Sequence, residues 1–150
     1  MKIAIGSDHQ GFNLKAGLKE RLQKLDHEVS DFGCFSGDSC DYPDYALKVA
    51  EAVASGDYSR GILICKTGIG MSIAANKVPG VLAALVCDEE MAKIASEHNN
   101  ANIICLNSNF NPKRIMKIVT NWLNTPFGWE RHLRRINKIK EIENKYLKQK

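Results

Sequence analysis

The sequence has no run approaching the roughly 20 consecutive apolar residues that cross a bilayer, so it offers no membrane-spanning helix and no membrane partner is expected. It also lacks the charged, apolar and small-residue segments of a secretory signal, because Met1-Lys2 leads straight into Ile3-Ala4-Ile5. A cytoplasmic location is the resulting expectation. Cysteine stands only at 34, 40, 65, 87 and 105, with no C-x-x-C and no paired histidine spacing, which excludes the common zinc patterns and predicts no metal. An odd number of cysteines without a signal argues for reduced thiols. Cys87 and Cys105, each at the end of an apolar run, are expected to be small buried hydrophobes. No dinucleotide fingerprint or P-loop is present: the Gly6…Gly11 spacing is followed by Phe12-Asn13, so neither NAD nor ATP is expected and no cofactor is implied. Repeats, linkers and low-complexity tracts are missing too, which assigns residues 1–150 to one domain. Charge of one sign is scarce. The net +4 is concentrated after Arg131, where Glu141 and Glu143 interrupt it, so it reads as the solvated face of a helix and not as a nucleic-acid surface.

What the chain does have is alternation. β-Prone runs at Lys2–Gly6, Glu28–Phe32, Gly61–Cys65, Leu82–Val86 and Asn102–Leu106 predict strands, several of them nearly continuous in apolar residues as expected for burial on both faces. Helical stripes lie between and after them: Phe12, Leu14, Leu18, Leu22 and Leu25; Ala46, Val49, Ala50 and Val53; Met91, Ile94 and Ala95; Ile115, Ile118, Val119 and Trp122. A terminal helix from about Glu130 carries Leu133, Ile136, Ile139, Ile142 and Tyr146, a stripe suited to docking on a neighbouring subunit. Strict strand–helix alternation predicts an α/β fold. Its expected form is a Rossmann-like three-layer αβα sandwich with a five-stranded parallel sheet and a C-terminal helix.

Ligands of open parallel sheets bind beyond the carboxyl ends of the strands. Those ends here carry Ser7-Asp8-His9, Cys65-Lys66-Thr67-Gly68-Ile69-Gly70-Met71-Ser72, Asp88 and Asn107-Ser108-Asn109. The Gly68-x-Gly70-x-Ser72 turn precedes a segment beginning at Ser72 and can aim successive N–H groups at an anion, although two glycines also suit a plain tight turn. Cys65 stands directly before it. A sulfur beside such amides can act as a base, while a buried structural cysteine is the simpler alternative. Arg131 and Arg135, four apart on one helix face, suit a phosphate or a plain basic face. His98-Asn99-Asn100 precedes the fifth strand, at the opposite end of the sheet, so if it is functional it is expected to serve a partner subunit.

Five motifs stand together in order. They are Gly6-Ser7-Asp8-His9-Gln10-Gly11, Asp41-Tyr42-Pro43-Asp44-Tyr45, the run Cys65 to Lys77, His98-Asn99-Asn100-Ala101-Asn102, and Arg131-His132-Leu133-Arg134-Arg135. On these the chain, from Met1 to about Glu143, closely resembles the ribose-5-phosphate isomerase B family, whose fold is shared by the galactose-6-phosphate isomerase subunits. The resemblance implies metal-free interconversion of ribose 5-phosphate and ribulose 5-phosphate. It makes Cys65 the base, assisted by Thr67, and has the backbone of Gly68, Gly70 and Ser72 hold the enediolate. Asp8 and Tyr42 would contact sugar hydroxyls, and His98 with Asn99 would open the ring. His9, Arg131 and Arg135 would hold the phosphate. It further implies a homodimer with sites composed from both subunits. Family members commonly carry Arg where this chain has Asn109 and Gly where it has Lys66; Lys66 or Arg134 is expected to compensate. A six-carbon sugar-phosphate isomerase (allose or galactose 6-phosphate) and a non-catalytic sugar-phosphate binding module are the alternatives.

Overall fold

A computed structural model describes residues 1–147; the last three residues of the expected 1–150 domain lie outside the described part. The chain alternates β1 (Lys2–Ser7), α1 (Phe12–Gln23), β2 (Glu28–Asp31), α2 (Tyr42–Ala54), β3 (Arg60–Cys65), α3 (Ile69–Ala75), β4 (Ala83–Leu85), α4 (Glu89–Glu97), β5 (Ile103–Asn107), α5 (Pro112–Asn124) and α6 (Trp129–Leu147). The five strands are parallel in the order β2-β1-β3-β5-β4.

Period-2 alternation sorts the side chains into two layers. Ile62, Ile64, Ile104 and Leu106 pack with Leu18 and Leu22 of α1, Ala92 and Ala95 of α4, and Ile118 and Trp122 of α5. Their neighbours Leu63, Cys65, Ile103 and Cys105 face the other way, against Ala46, Val49 and Ala50 of α2 and Met71 and Ala75 of α3. The expected sandwich is therefore present, and Cys65 is placed on the α3 side by its parity in β3. The paired ends of β1, β3 and β5 are level: Ser7 faces Ile64, and Cys65 faces Asn107. The connection after β1 returns to one side of the sheet and that after β3 to the other, so a crevice opens between them at their carboxyl ends.

Helix starts are set by local chemistry. Asp88 Oδ1 accepts the Met91 N–H at 2.7 Å, and Asn111 Oδ1 accepts that of Arg114 at 2.9 Å, closing the first turns of α4 and α5. Proline near the start of α2 and α5 sits where no amide donor is needed.

Several expectations are corrected. Leu25 lies past the end of α1 and is exposed. On α4 the buried face is Ala92, Ala95 and Ser96, while Met91 and Ile94 point outward; small residues let the helix lie close to its neighbours, and the larger ones take the opposite face. Cys87 is only partly buried, unlike Cys105. The helix after β3 begins at Ile69 and not at Ser72. On α6, Ile136 is buried, but Ile139, Ile142 and Tyr146 remain exposed on the chain.

Candidate active site

At the carboxyl end of β3, the Cys65 Sγ accepts the N–H of Gly68 at 3.2 Å. The turn that allows this needs a left-handed residue, and Gly68 supplies it at φ 80° as the N-cap of α3. Thr67 Oγ1 accepts the Ile69 N–H at 3.2 Å. In the first helical turn, Gly70 and Met71 have no intrahelical acceptor for their amides. Ser72 differs. Its N–H goes to Gly68 O at 3.0 Å and its Oγ donates to Ala83 O at 3.1 Å. Its expected part in holding an anion is thus corrected: because the helix starts three residues earlier, the Ser72 amide is already closed into it. Gly70 serves contact and not bending, since a Cβ there would lie 2.6 Å from Cζ of Tyr42. The Tyr42 ring thereby lies against the first turn of α3.

The loop after β1 forms the other wall. Asp8 is buried, and its Oδ1 accepts the N–H groups of Gln10 at 2.9 Å and Gly11 at 3.1 Å. That leaves Oδ2 for a ligand hydroxyl. His9 Nδ1 accepts the Cys40 N–H at 3.3 Å, so the neutral ring carries its proton on Nε2 and offers it as a donor.

Lys15, which sequence reasoning missed, anchors the segment that delivers Cys40. It is buried, and its Nζ donates to Asp31 Oδ1 at 2.6 Å and to Cys34 O at 2.5 Å. Its position on the buried side of α1 was the available signal. Asn109 ties the β5 loop to the β3 loop, its Nδ2 donating to Lys66 O at 3.2 Å while the Ser108 N–H donates to Cys65 O at 2.9 Å. Cys105 lies on the same face of the sheet as Cys65. Burial first, and Cys65 nearby second, push the Cys105 thiol far above its ordinary range, so it stays protonated.

The remaining predicted residues assemble elsewhere. His98 caps the C-terminus of α4, at the amino end of β5, and its ring stacks on His132 with centroids 4.2 Å apart and planes at 11°. Gly128 N–H donates to Glu97 O at 2.8 Å, which brings the start of α6 against the end of α4. Arg131 and Arg135 are exposed there, as are Asn99 and Arg134. Arg131 and His132 line a cavity of about 440 Å³ together with Glu97, Gly128, Trp129 and Glu130. A five-residue strand spans roughly 17 Å, so within one chain His98 and the arginines stand a strand length from Cys65. The structure brings together Cys65, Thr67, Gly68, Gly70, Tyr42, Asp8 and His9 at one end. It brings together His98, Asn99, Arg131 and Arg135 at the other.

Comparison with known proteins gives a consistent picture. A family model described as ribose/galactose isomerase matches residues 3–139. The chain is 39% identical over 145 residues to the ribose-5-phosphate isomerase B of Escherichia coli, covering 96% of this chain and 97% of that protein. The solved structure of ribose-5-phosphate isomerase B from Clostridium thermocellum is similar with a TM-score of 0.95 at 52% identity, covering 97% of this chain and 99% of that one. That of the Mycoplasma genitalium enzyme, with bound ribulose 5-phosphate, has a TM-score of 0.92 at 46% identity, covering 95% and 96%.

Proposed function

The chain belongs to the ribose/galactose isomerase family, and on that premise we propose that it interconverts ribose 5-phosphate and ribulose 5-phosphate. The observation that carries the reading is the Cys65 sulfur held 3.2 Å from the Gly68 amide, in the crevice between β1 and β3. A sulfur in that position can take a proton while amides beside it accept the charge that develops.

Ribose 5-phosphate is mostly a furanose and has no free carbonyl. His98, with Asn99, opens the ring: a proton goes to the ring oxygen as its bond to C1 breaks, and the C1 hydroxyl gives up its own. Cys65 as thiolate then removes the C2 proton. The electron pair moves into a C1–C2 double bond, and O1 carries the negative charge. The open first-turn amides of α3, those of Gly70 and Met71, stabilise that enediolate, while the Gly68 amide holds the sulfur beside them. Thr67 keeps the turn closed through Ile69. The proton returns to C1 as the O2 hydroxyl proton passes to O1 and O2 becomes the ketone, so protons balance over the cycle and no metal or cofactor takes part. Asp8 and Tyr42 hold sugar hydroxyls, and the His9 Nε2–H reaches the phosphate. The phosphate does not react; its binding energy places the carbons.

His98 and the two arginines act on the partner subunit's sulfur in this reading. The strand length separating them from Cys65 within one chain supports a homodimer with composite sites. So do the exposed Ile139, Ile142 and Tyr146 on α6. Residues 1–150 are taken as one domain working in the cytoplasm.

Turnover of ribose 5-phosphate, followed as ribulose 5-phosphate with and without chelator, tests the activity. Cys65→Ala should abolish it while sugar-phosphate binding stays near normal; retained turnover would exclude the thiol as the base. Co-expression of Cys65→Ala with His98→Asn tests the shared site. Each alone should be inactive, whereas random pairing leaves one intact site in each mixed dimer, or about one quarter of normal activity. No recovery would refute the composite arrangement.

A further inference from the structure

His132 lies between Arg131 and Arg135 on α6 and has no part in the mechanism above, yet it is one of the few buried polar side chains among the described residues, at 7% exposure. Its Nδ1 is buried without a hydrogen-bond partner. An unpaired buried nitrogen is unfavourable, and an apolar ring would fill the space without that penalty. What the imidazole does make is a parallel stack on His98, 4.2 Å between centroids and 11° between planes. The stack is the contact the structure shows for the His98 ring.

We propose that His132 is the positioning residue for His98: its neutral ring fixes the His98 imidazole in one plane, aimed out of the α4–α6 junction at the sugar's ring oxygen. The proposal rests on the ring-opening role given to His98 above. Two features make the neutral form of His132 the resident one. Burial disfavours its charge most, and the positive neighbours His98, Arg131 and Arg135 disfavour it further, against a smaller opposing effect of Glu97. A neutral ring stacked face to face can accept a charged partner, because its π face attracts a cation. His98 alternates between imidazole and imidazolium as it hands a proton to the ring oxygen and recovers one from the C1 hydroxyl. A neutral stacking partner supports both forms, whereas a second imidazolium would repel the charged one.

The chemistry of the two substrates supplies the test. Ribose 5-phosphate enters as a furanose. Ribulose 5-phosphate cannot close a furanose, because its C5 oxygen is esterified, so its conversion to the enediolate needs no ring opening. His132→Ala should lower turnover of ribose 5-phosphate by about 10- to 100-fold with KM little changed, the usual size of a small misplacement of an acting group. The same preparation should consume ribulose 5-phosphate at close to the normal rate, which also shows that it is folded. His132→Phe, which keeps the flat stacking surface, should restore ribose 5-phosphate turnover to within about 3-fold. Equal losses on both substrates would make the residue merely structural and overturn the proposal, as would no loss on the aldose or failure of Phe to rescue. His98→Asn is the reference. If it converts ribose 5-phosphate normally, the ring-opening role of His98 falls; if it does not while His132→Ala does, only the positioning role falls.

Discussion

Replacing Gly68 by alanine perturbs the point where fold and chemistry meet, and Gly56 provides its control. Both have left-handed backbones, at φ 80° and 86°. A Cβ at Gly56 meets nothing within 4 Å. Gly56→Ala should therefore lose only the cost of a side chain in that conformation, about 1–2 kcal/mol. A Cβ at Gly68 would lie 2.7 Å from Leu85 Cδ1 and 3.1 Å from both the Cys105 carbonyl carbon and the Leu106 nitrogen. Leu85 can rotate away, but the β5 backbone cannot. Overpacking of that kind adds about 1–3 kcal/mol. Gly68→Ala should thus be destabilised by about 2–5 kcal/mol in total. Urea unfolding of both variants reads the difference directly, and at this chain length each kcal/mol moves Tm by roughly 2–4 °C. The functional loss should be larger than stability alone explains. Pushing the Gly68 amide from Cys65 Sγ shifts the base relative to the amides of the turn, a misplacement that costs about 10²-fold in rate, while Gly56→Ala should keep normal kcat. If Gly68→Ala is no less stable than Gly56→Ala, or is destabilised yet turns over normally, the described packing or the role of the turn is wrong.

Arg131→Ala and Arg135→Ala should chiefly raise KM for ribose 5-phosphate; normal KM and rate in both would remove them from the phosphate subsite. Lys15→Met should cost about 3 kcal/mol, because it strands the Asp31 carboxylate beneath α1; a urea midpoint within error of the parent would refute the anchoring role. Stability should fall as pH drops below about 6.5. His132 and His27 are both held below the ordinary histidine value, burial being the first cause in each, so the unfolded chain takes up their protons first. His132→Phe should flatten that slope in urea titrations between neutral and mildly acidic pH, and an unchanged slope would remove His132 as a source.

Most strands were legible because β1, β3 and β5 are nearly continuous apolar runs, and buried parallel strands need no alternation of polarity; the edge strand β2, Glu28-Val29-Ser30-Asp31, is the exception. The stripes of α2 and α5 were legible for the complementary reason, since one face of each meets the sheet. Periodicity misjudged α4, where the inward face is built from Ala92, Ala95 and Ser96. Size, and not hydrophobicity, decides which face can approach. Topology alone placed the residues after β1 and β3 in one crevice. What could not be read was any property that depends on contacts far apart in the chain. Lys15 shares the Leu18 and Leu22 face of α1, but its partners Asp31 and the Cys34 carbonyl reach it only in the folded chain. His132 looks like part of a basic motif until α4 delivers His98.

The departure at Asn109 shows how a lost charge need not mean a lost site. A guanidinium at that position could reach a ligand, but the Asn109 amide instead donates to Lys66 O. This pins the β3 loop from the β5 side while Ser108 pins it at Cys65 O. The β3 loop carries the exposed Lys66 on the same segment as Thr67 and Gly68. The exchange therefore trades a fork-shaped donor for a stiffer loop bearing a mobile charge. A flexible ammonium holds phosphate as a point charge, without the paired geometry of arginine. In the proposed dimer, the paired geometry falls to Arg131 and Arg135 on α6 of the partner. On this reading the chain's own crevice fixes the reacting carbons, and phosphate recognition depends more heavily on the second subunit.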